Sequence, residues 1–243
     1  MITLLSTPES LAGDEVRVAG DAYRHLFRAR RAAAGDTVRV VDGEGRARWG
    51  EVARVTRQDA VVRLAGPAPD GEPTFALHLF VATLRPERAA WLVEKATELG
   101  VFAVHFLHSE RAPRELGAGA RERLARVAAA AVEQCHRSRV PKVAGPHLFA
   151  EALDLAAARD RRLFLDTAPE AAPLAQDPAA RSGALFVGPE GGWAPAERDA
   201  LVARGFTPVG LGPRILRIET AAVVGTTLLT LPSLPVDTHA RSG

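Results

Sequence analysis

The first 70 residues contain short segments in which hydrophobic and polar positions alternate. Four of these segments are rich in valine, and most of them end in glycine: EVRVAG, DTVRVVDG, ARWGEVARV and DAVVRLAG. Alternation with a period of two, closed by turn residues, predicts half-buried strands that form a small antiparallel sheet or barrel. The segment DAYRHLFRARRAAAGD (21–36) interrupts the strands and predicts a helix. We therefore expect a small β-barrel domain over residues 1–70.

The pattern changes beyond residue 74, where apolar runs alternate with amphipathic segments. FALHLFVA predicts a buried strand, and PERAAWLVEKATELG predicts a helix that begins near Pro86 and ends at Gly100. Strands and helices continue to alternate along the chain, which predicts a mostly parallel sheet with helices on both faces over residues 74–243. Between the two regions, GPAPDGEPT (66–74) contains three prolines and two glycines and indicates an interdomain linker.

The composition limits the class of protein. The chain has 243 residues, of which 47% are hydrophobic and 25% charged, as expected for a globular protein with one large or two unequal domains. The single cysteine, Cys135, allows no intrachain disulfide and fits a reducing cytoplasm. No apolar run approaches the ~18 residues that a membrane span requires. The formal net charge is only +2, so overall charge does not by itself predict a nucleic-acid partner.

Two glycine-rich turns follow predicted strands in the last quarter of the chain. They are GPEGG (188–192) and GLGPR (210–214). Loops of this kind at the ends of buried strands are where α/β proteins bind ligands. No lysine follows these glycines as a P-loop requires, and GLGPRI lacks the third glycine of a dinucleotide-binding fingerprint. A dinucleotide-dependent dehydrogenase is therefore disfavoured.

Several motifs, in this order along the chain, resemble those of one family. FVGPEGGWAPAE followed by LGPRILRIETAA is similar to the C-terminal signature of the RsmE family, and YRHLFRARRAAAGD, EKATELGV, SER and EQCHRSRVP resemble its other motifs. Members of this family are methyltransferases of the knotted SPOUT superfamily that modify N3 of a uridine in 16S rRNA of the small ribosomal subunit. The resemblance covers nearly the whole chain. Two positions depart from it: His136 stands where the family has glycine, and Arg28–Ala29–Arg30 replaces Val-Leu-Arg.

The resemblance implies a trefoil knot in the C-terminal domain, a PUA-like N-terminal domain and a homodimer, and the lack of metal-ligand spacing around His105 and His108 predicts no metal. It also implies S-adenosylmethionine as the cofactor, bound in the knot between the two glycine-rich turns. The implied cofactor-binding residues are Leu165, Gly188, Pro189, Glu190, Gly191, Gly192, Leu211, Gly212, Ile215, Leu216 and Arg217.

Arg217 and Glu219 are the candidate catalytic residues. Arg217 is expected to stabilise the negative charge that develops on the uracil carbonyl oxygens. Glu219 is expected to act as a general base or to orient Arg217, and the alternative is a capping role in the first turn of a helix. Methylation of a nitrogen requires no covalent adduct, so we interpret Cys135 as an inert residue. His105 has no partner at metal-ligand spacing and is interpreted as structural.

Two clusters of basic residues are the expected RNA contacts, because arginine side chains bind phosphate bidentately. The arginines in them are Arg24, Arg28, Arg30, Arg31, Arg137 and Arg139. The alternative is that they form solvated helix faces. The alternative function is a non-catalytic RNA-binding protein that retains the SPOUT fold, and the intact glycine-rich motifs argue against it. The final helix, ETAAVVGTTLLTL, is apolar on nearly every side, which predicts a homodimer with this helix and the 188–192 loop near the contact, so that a charge at Val224 or Leu228 would disrupt the dimer.

Overall fold

The computed structural model of the chain describes residues 2–24, 27, 32–112, 116–117, 119–169 and 171–231. The chain divides into two compact units. The first comprises Met1–Glu72 with Ala129–Val140, and the second comprises Pro73–Ala128 with Pro141–Gly243. Residues 129–140, which the sequence analysis assigned to the C-terminal region, thus pack within the first unit. Within the described ranges, no helix has the length and apolar character needed to cross a membrane.

The first unit is built on a five-stranded sheet with the strand order β1-β3-β4-β5-β2. Its elements are β1 (Ile2–Leu5), α1 (Pro8–Leu11), β2 (Glu15–Ala19), α2 (Gly20–Tyr23), β3 (Thr37–Val41), β4 (Ala47–Val55) and β5 (Asp59–Pro67). β1 runs parallel to β3, and the other neighbouring strands are antiparallel. The four predicted strands are present. β1 was not predicted, because four residues are too few to display an alternating pattern.

The core of the first unit follows the alternation seen in the sequence. In β2, Val16 and Val18 are buried while the residues on either side of them are exposed. These valines belong to one hydrophobic cluster with Val40 of β3, Val52 of β4 and Val62 of β5. The helix predicted over residues 21–36 begins as α2, and six of its later residues lie outside the described ranges. Residues 32–36 form a turn, so the helix does not extend to residue 36 as predicted; the N–H of Asp36 donates to the carbonyl oxygen of Ala33 there.

The second unit contains a seven-stranded sheet in which all neighbouring strands are parallel, in the order β10-β12-β9-β11-β6-β7-β8. The strands are β6 (Ala76–Ala82), β7 (Ala103–Leu107), β8 (Lys142–His147), β9 (Arg161–Leu165), β10 (Ala172–Pro173), β11 (Ser182–Val187) and β12 (Thr207–Gly210). The helices are α3 (Pro86–Glu98), α5 (Phe149–Ala156), α6 (Pro195–Ala203) and α7 (Ile218–Thr230), and α4 (Ala120–Cys135) begins in this unit and continues into the first at residue 129. The predicted parallel α/β architecture is confirmed, while the trefoil knot remains a prediction.

Helix α3 illustrates how local sequence sets these boundaries. Pro86 occupies the first turn, where its missing N–H has no helical partner to lose. Gly100 ends the helix with a φ of 90°, a conformation that residues with a Cβ rarely adopt. Between them, Leu92 and Val93 are buried, as expected for the apolar face of a helix that packs on a sheet.

Strand β11 lies at the centre of the parallel sheet. Its Leu185 pairs with Leu79 of β6 on one side and with Leu163 of β9 on the other, and all three are buried. Because the strands are parallel, the carboxyl ends of β9, β11 and β12 lie at one edge of the sheet. Leu165 and Val187 are the last residues of β9 and β11, and the loops that follow them form the candidate site.

Candidate active site

A pocket of about 260 Å³ opens at the carboxyl ends of β9, β11 and β12. Two loops and the start of α7 form most of its walls. The lining residues are Leu165, Asp166, Thr167, Val187, Gly188, Pro189, Glu190, Gly191, Gly192, Trp193, Leu211, Gly212, Arg214, Ile215, Leu216, Ile218 and Ala221. Every residue predicted to bind the cofactor except Arg217 is in this set. The two glycine-rich turns, about 20 residues apart in sequence, therefore lie against one cavity.

Gly188 packs against the indole ring of Trp193. A Cβ at position 188 would lie 2.8 Å from Cε2 of that ring, which is closer than real contacts allow. The ring is held in place because Trp193 Nε1 donates a hydrogen bond to the carbonyl oxygen of Leu165 at 3.0 Å. Trp193 directly follows the GPEGG turn in sequence but was not among the predicted site residues. The glycine at 188 thus lets the backbone cross a fixed aromatic ring.

The turn at 189–192 is held by backbone hydrogen bonds and by one arginine. Gly192 N donates to Pro189 O at 2.9 Å, and the φ of Gly192 is 70°, which favours glycine. Arg111 Nη1 donates to the carbonyl oxygen of Gly191 at 2.9 Å. Arg111 belongs to the SER motif, so the structure gives that motif a role in holding the wall of the pocket.

Glu197 holds the rest of the SER motif against the start of α6. Its two carboxylate oxygens accept hydrogen bonds from the Ser109 hydroxyl at 3.0 Å and from Glu110 N at 2.9 Å. It also accepts a hydrogen bond from Ala194 N at 3.0 Å, which satisfies one of the free donors at the N-terminus of α6. The loop after β7 and the loop after β11 are thereby joined beside the pocket.

Asp166 and Arg198 form an ion pair at the pocket wall, with Arg198 Nε 2.8 Å from Asp166 Oδ2. Asp166 lines the pocket, and sequence reasoning missed it. A signal was available, because Asp166 directly follows β9 and polar residues just after parallel strands reach the ligand edge of the sheet. Arg214, which also lines the pocket, was missed although it lies inside the LGPRIL motif.

The two candidate catalytic residues lie at the start of α7. Arg217 is exposed, precedes the first residue of the helix and does not line the pocket. Glu219 is in the first turn, with its side chain only 12% exposed. Its Oε1 lies 3.8 Å from Nε of Arg88 on α3, and Oε2 is buried with no hydrogen-bond donor among the described residues. Sequence reasoning did not identify Arg88, because about 130 positions separate it from Glu219.

Comparison with known proteins identifies the family. The model of an RNA methyltransferase domain matches residues 71–230, and the model of an RNA methyltransferase PUA domain matches residues 18–65. The chain belongs to the RNA methyltransferase family. The relationship inferred from the GPEGG and LGPRIL motifs is confirmed, as is the PUA assignment of the N-terminal region.

Within this family the chain is similar to proteins named ribosomal RNA small subunit methyltransferase E. The protein from Synechocystis sp. is 30% identical over 91% of this chain and 74% of its own length. The protein from Mycobacterium bovis is 32% identical over 92% of this chain and 90% of its own length. A crystal structure of the Neisseria gonorrhoeae enzyme bound to S-adenosylmethionine has a TM-score of 0.82 at 27% identity, and covers 93% of this chain and 95% of that one.

The arginines that were predicted to contact RNA differ from one another in their exposure and in their hydrogen-bond partners. Arg24 is exposed and forms an ion pair with Asp21. The other three arginines of that cluster, Arg28, Arg30 and Arg31, lie outside the described residues. Of the second cluster, Arg139 is half-buried, and its backbone N–H donates to Glu72 at 2.9 Å.

Arg137 differs from the expectation of an exposed phosphate contact. It is 3% exposed, and its Nη2 lies 2.5 Å from Oε2 of Glu72. The same carboxylate accepts hydrogen bonds from Ser138 N and Arg139 N. Arg137 therefore fastens the residues after α4 to the 66–74 segment within the first unit, because a buried charge requires a partner of opposite charge. The sequence showed the positive charge but not its burial.

Three histidines, of which His78 and His105 are buried and His147 is half-buried, form a row across adjacent strands of the parallel sheet, and we call them the histidine row. His78 Nδ1 lies 3.4 Å from His105 Nε2, and His105 Nδ1 lies 3.4 Å from His147 Nε2. Burial lowers the pKa of His78 to about 4 and the pKa of His105 to about 3, and it also lowers the pKa of His147. The charged groups that act on the row are Arg159, Lys142 and Glu151. Among the described residues, no group of histidine, cysteine and acidic side chains is arranged to hold a metal ion.

Proposed function

We propose that this chain transfers a methyl group from S-adenosylmethionine to N3 of a specific uridine in 16S rRNA of the small ribosomal subunit. One observation carries the proposal. The residues that the family resemblance assigns to the cofactor lie around a single pocket, with Arg217 as the exception. A pocket at the carboxyl edge of a parallel sheet is the usual ligand site of an α/β domain.

The lining of the pocket suits the cofactor. Leu165, Leu211 and Leu216 offer apolar surface for a flat adenine, and the glycines of the two turns let backbone N–H and C=O groups approach it closely. A solved relative from Legionella pneumophila, 26% identical with a TM-score of 0.79, is in complex with S-adenosylmethionine. The bound cofactor supplies the activated methyl group, and the protein supplies position and electrostatics.

The residues at the start of α7 supply the rest of the chemistry. The uracil imide must lose its N3 proton for methylation, and a nearby carboxylate can accept a proton in such a step. Glu219 is that carboxylate in our proposal, because its Oε2 has no donor among the described residues. Arg217, exposed beside it, stabilises the negative charge on the uracil carbonyl oxygens.

The RNA is bound by the N-terminal unit. We propose that Arg24, Arg28, Arg30 and Arg31 contact phosphates and that Arg139 contributes at the edge of the same unit. N3 lies on the pairing edge of uracil, so the target base must be unpaired before it can enter the pocket. The match to an RNA methyltransferase PUA domain supports this division of labour.

We also propose that the active form is a homodimer with a trefoil knot in each C-terminal domain, and that it acts in the cytoplasm. Val224 of α7 is half-buried, and Leu228, one helical turn further on, is 40% exposed. Trp91 on α3, a helix that packs against α7, is also exposed. Large apolar side chains on adjoining helices favour burial against a partner, and a second copy of the chain would cover them.

The proposal is tested with the purified protein in two assays. Isothermal titration with S-adenosylmethionine measures cofactor binding, and mass mapping of 16S rRNA from a deletion strain, before and after incubation with protein and cofactor, locates the methyl group. We expect binding together with a single methylated uridine. A protein that binds RNA but not the cofactor would instead be a non-catalytic RNA-binding relative.

A further inference from the structure

Arg88 lies where two carboxylates from separate segments meet beside the pocket. Its Nη1 is 2.7 Å from Oε1 of Glu190, in the turn after β11, and its Nε is 3.8 Å from Oε1 of Glu219, in the first turn of α7. Arg88 itself belongs to the first turn of α3. One guanidinium group therefore connects three segments that are distant in sequence.

The two contacts differ in their surroundings. The Glu190 side chain is 62% exposed, and the Arg88 side chain is 38% exposed, so their ion pair is partly screened by solvent. The Glu219 side chain is 12% exposed, and a buried carboxylate requires a nearby positive charge or donors to offset its loss of hydration. Arg88 provides that charge near Oε1 of Glu219. Oε2 has no hydrogen-bond donor among the described residues.

We propose that Arg88 is a positioning residue for methyl transfer, an inference that rests on the proposed function. Through Glu190 it holds the 188–192 turn in the shape that lines the pocket, so less ordering is needed when the cofactor binds. Through Glu219 it holds the carboxylate by Oε1 in the first turn of α7, next to Ile218, which lines the pocket. Arginine suits both tasks, because different nitrogens of its planar group reach the two carboxylates, whereas lysine has a single nitrogen.

The test compares Arg88→Met with Arg85→Met. Arg85 is an exposed arginine that precedes the first residue of α3, and its side chain makes no capping hydrogen bond, so its replacement removes the same charge from the same end of the helix. We expect Arg88→Met to raise the Kd for S-adenosylmethionine by about fivefold, the most that a partly exposed ion pair contributes. We also expect it to lower kcat at saturating cofactor, and Arg85→Met to change neither quantity.

Glu190→Gln separates the two tasks. It breaks the contact to the turn and leaves the contact to Glu219 in place, so it should raise the Kd as Arg88→Met does and lower kcat at saturating cofactor less than Arg88→Met does. In the Arg88→Met, Glu190→Gln double variant, the Kd should rise no further than in either single variant, because both changes break the same pair. Arg88→Lys should recover part of kcat but not the full cofactor affinity.

The outcomes distinguish this inference from the proposed function. If the wild type binds no S-adenosylmethionine, the proposed function itself is wrong. If the wild type binds and methylates but Arg88→Met equals Arg85→Met in both Kd and kcat, the function stands and the role of Arg88 is overturned. If Arg88→Met does not fold, Glu190→Gln decides, and an unchanged Kd in that variant overturns the inference.

Discussion

The glycines of the GPEGG turn differ in the reason for their presence, and replacing Gly188 by alanine tests this most sharply. A Cβ at 188 would lie 2.8, 3.1 and 3.2 Å from three atoms of the Trp193 ring. The ring cannot withdraw easily, because its Nε1 donates a hydrogen bond to the carbonyl oxygen of Leu165 and the ring also contacts the Phe149 and Phe186 rings. Forcing an extra methyl group into such a contact costs about 1–3 kcal/mol.

Gly188→Ala is therefore expected to lower the free energy of unfolding in urea by about 1–3 kcal/mol. It should also weaken S-adenosylmethionine binding by at least about tenfold, the equivalent of ~1.4 kcal/mol, because residue 188 and the displaced indole both line the pocket. Urea unfolding followed by circular dichroism measures the first quantity, and isothermal titration measures the second.

Gly191→Ala is the matched control in the same turn. Gly191 has no positive φ, and a Cβ there would lie 3.5 Å from Cδ of the Arg111 side chain, an ordinary contact. Its unfolding free energy should stay within about 0.5 kcal/mol of the wild type. Gly188→Ala could instead be as stable as Gly191→Ala and bind the cofactor equally well. That result would show that the indole moves to make room for the added methyl group, and the predicted clash would be refuted.

Three further predictions concern other parts of the chain. In the folded chain the pKa values of His78 and His105 lie below the usual 6.5, so below that pH the unfolded chain binds more protons than the folded chain. The free energy of unfolding should therefore fall as the pH drops from about 6.5 towards 4. His105→Asn should reduce this loss, as measured by urea midpoints at several pH values. His136 has a φ of 62°, and its imidazole forms a hydrogen bond with the Thr3 hydroxyl at 2.7 Å. His136→Ala and His136→Gly both lose this hydrogen bond, but only glycine adopts the positive φ without strain. The alanine variant should therefore be less stable than the glycine variant by about 1 kcal/mol in thermal or urea unfolding, and equal stabilities would contradict the strain. Replacing Arg28 and Arg31 together by alanine should reduce the slope of log K against log salt for RNA binding by about two and leave cofactor affinity unchanged, whereas an unaltered slope would count against these phosphate contacts.

The features that depend on neighbouring residues in the sequence could be predicted from it. Alternating and continuous apolar runs predicted the main strands of both sheets, and the glycine-rich turns predicted the side of the parallel sheet on which the pocket lies. β8 and β10 were missed, because β8 contains Gly145 and Pro146, which disfavour a strand assignment, and β10 has only two residues.

Contacts between distant segments could not be predicted from one sequence. The charge on Arg137 suggested an RNA contact, but Glu72, located 65 positions earlier, neutralises it in the interior of the first unit. Nothing in the sequence of α3 distinguishes Arg88 from other arginines. Its contacts with Glu190 and Glu219 exist only in the folded chain. Position 136 is an intermediate case, since the family resemblance marked the missing glycine and the positive φ explains why glycine suits that position.

Methyl transfer to N3 of a uridine in the small-subunit rRNA can be observed directly on the product RNA. The most direct measurement incubates the purified protein with S-adenosylmethionine carrying an isotope-labelled methyl group and with ribosomal RNA or small subunits from a deletion strain. Nuclease digestion and mass spectrometry then locate the label. We expect labelled 3-methyluridine at one position of 16S rRNA. Label on a ribose, on another base or only in large-subunit RNA would show that the enzyme does not methylate N3 of a small-subunit uridine.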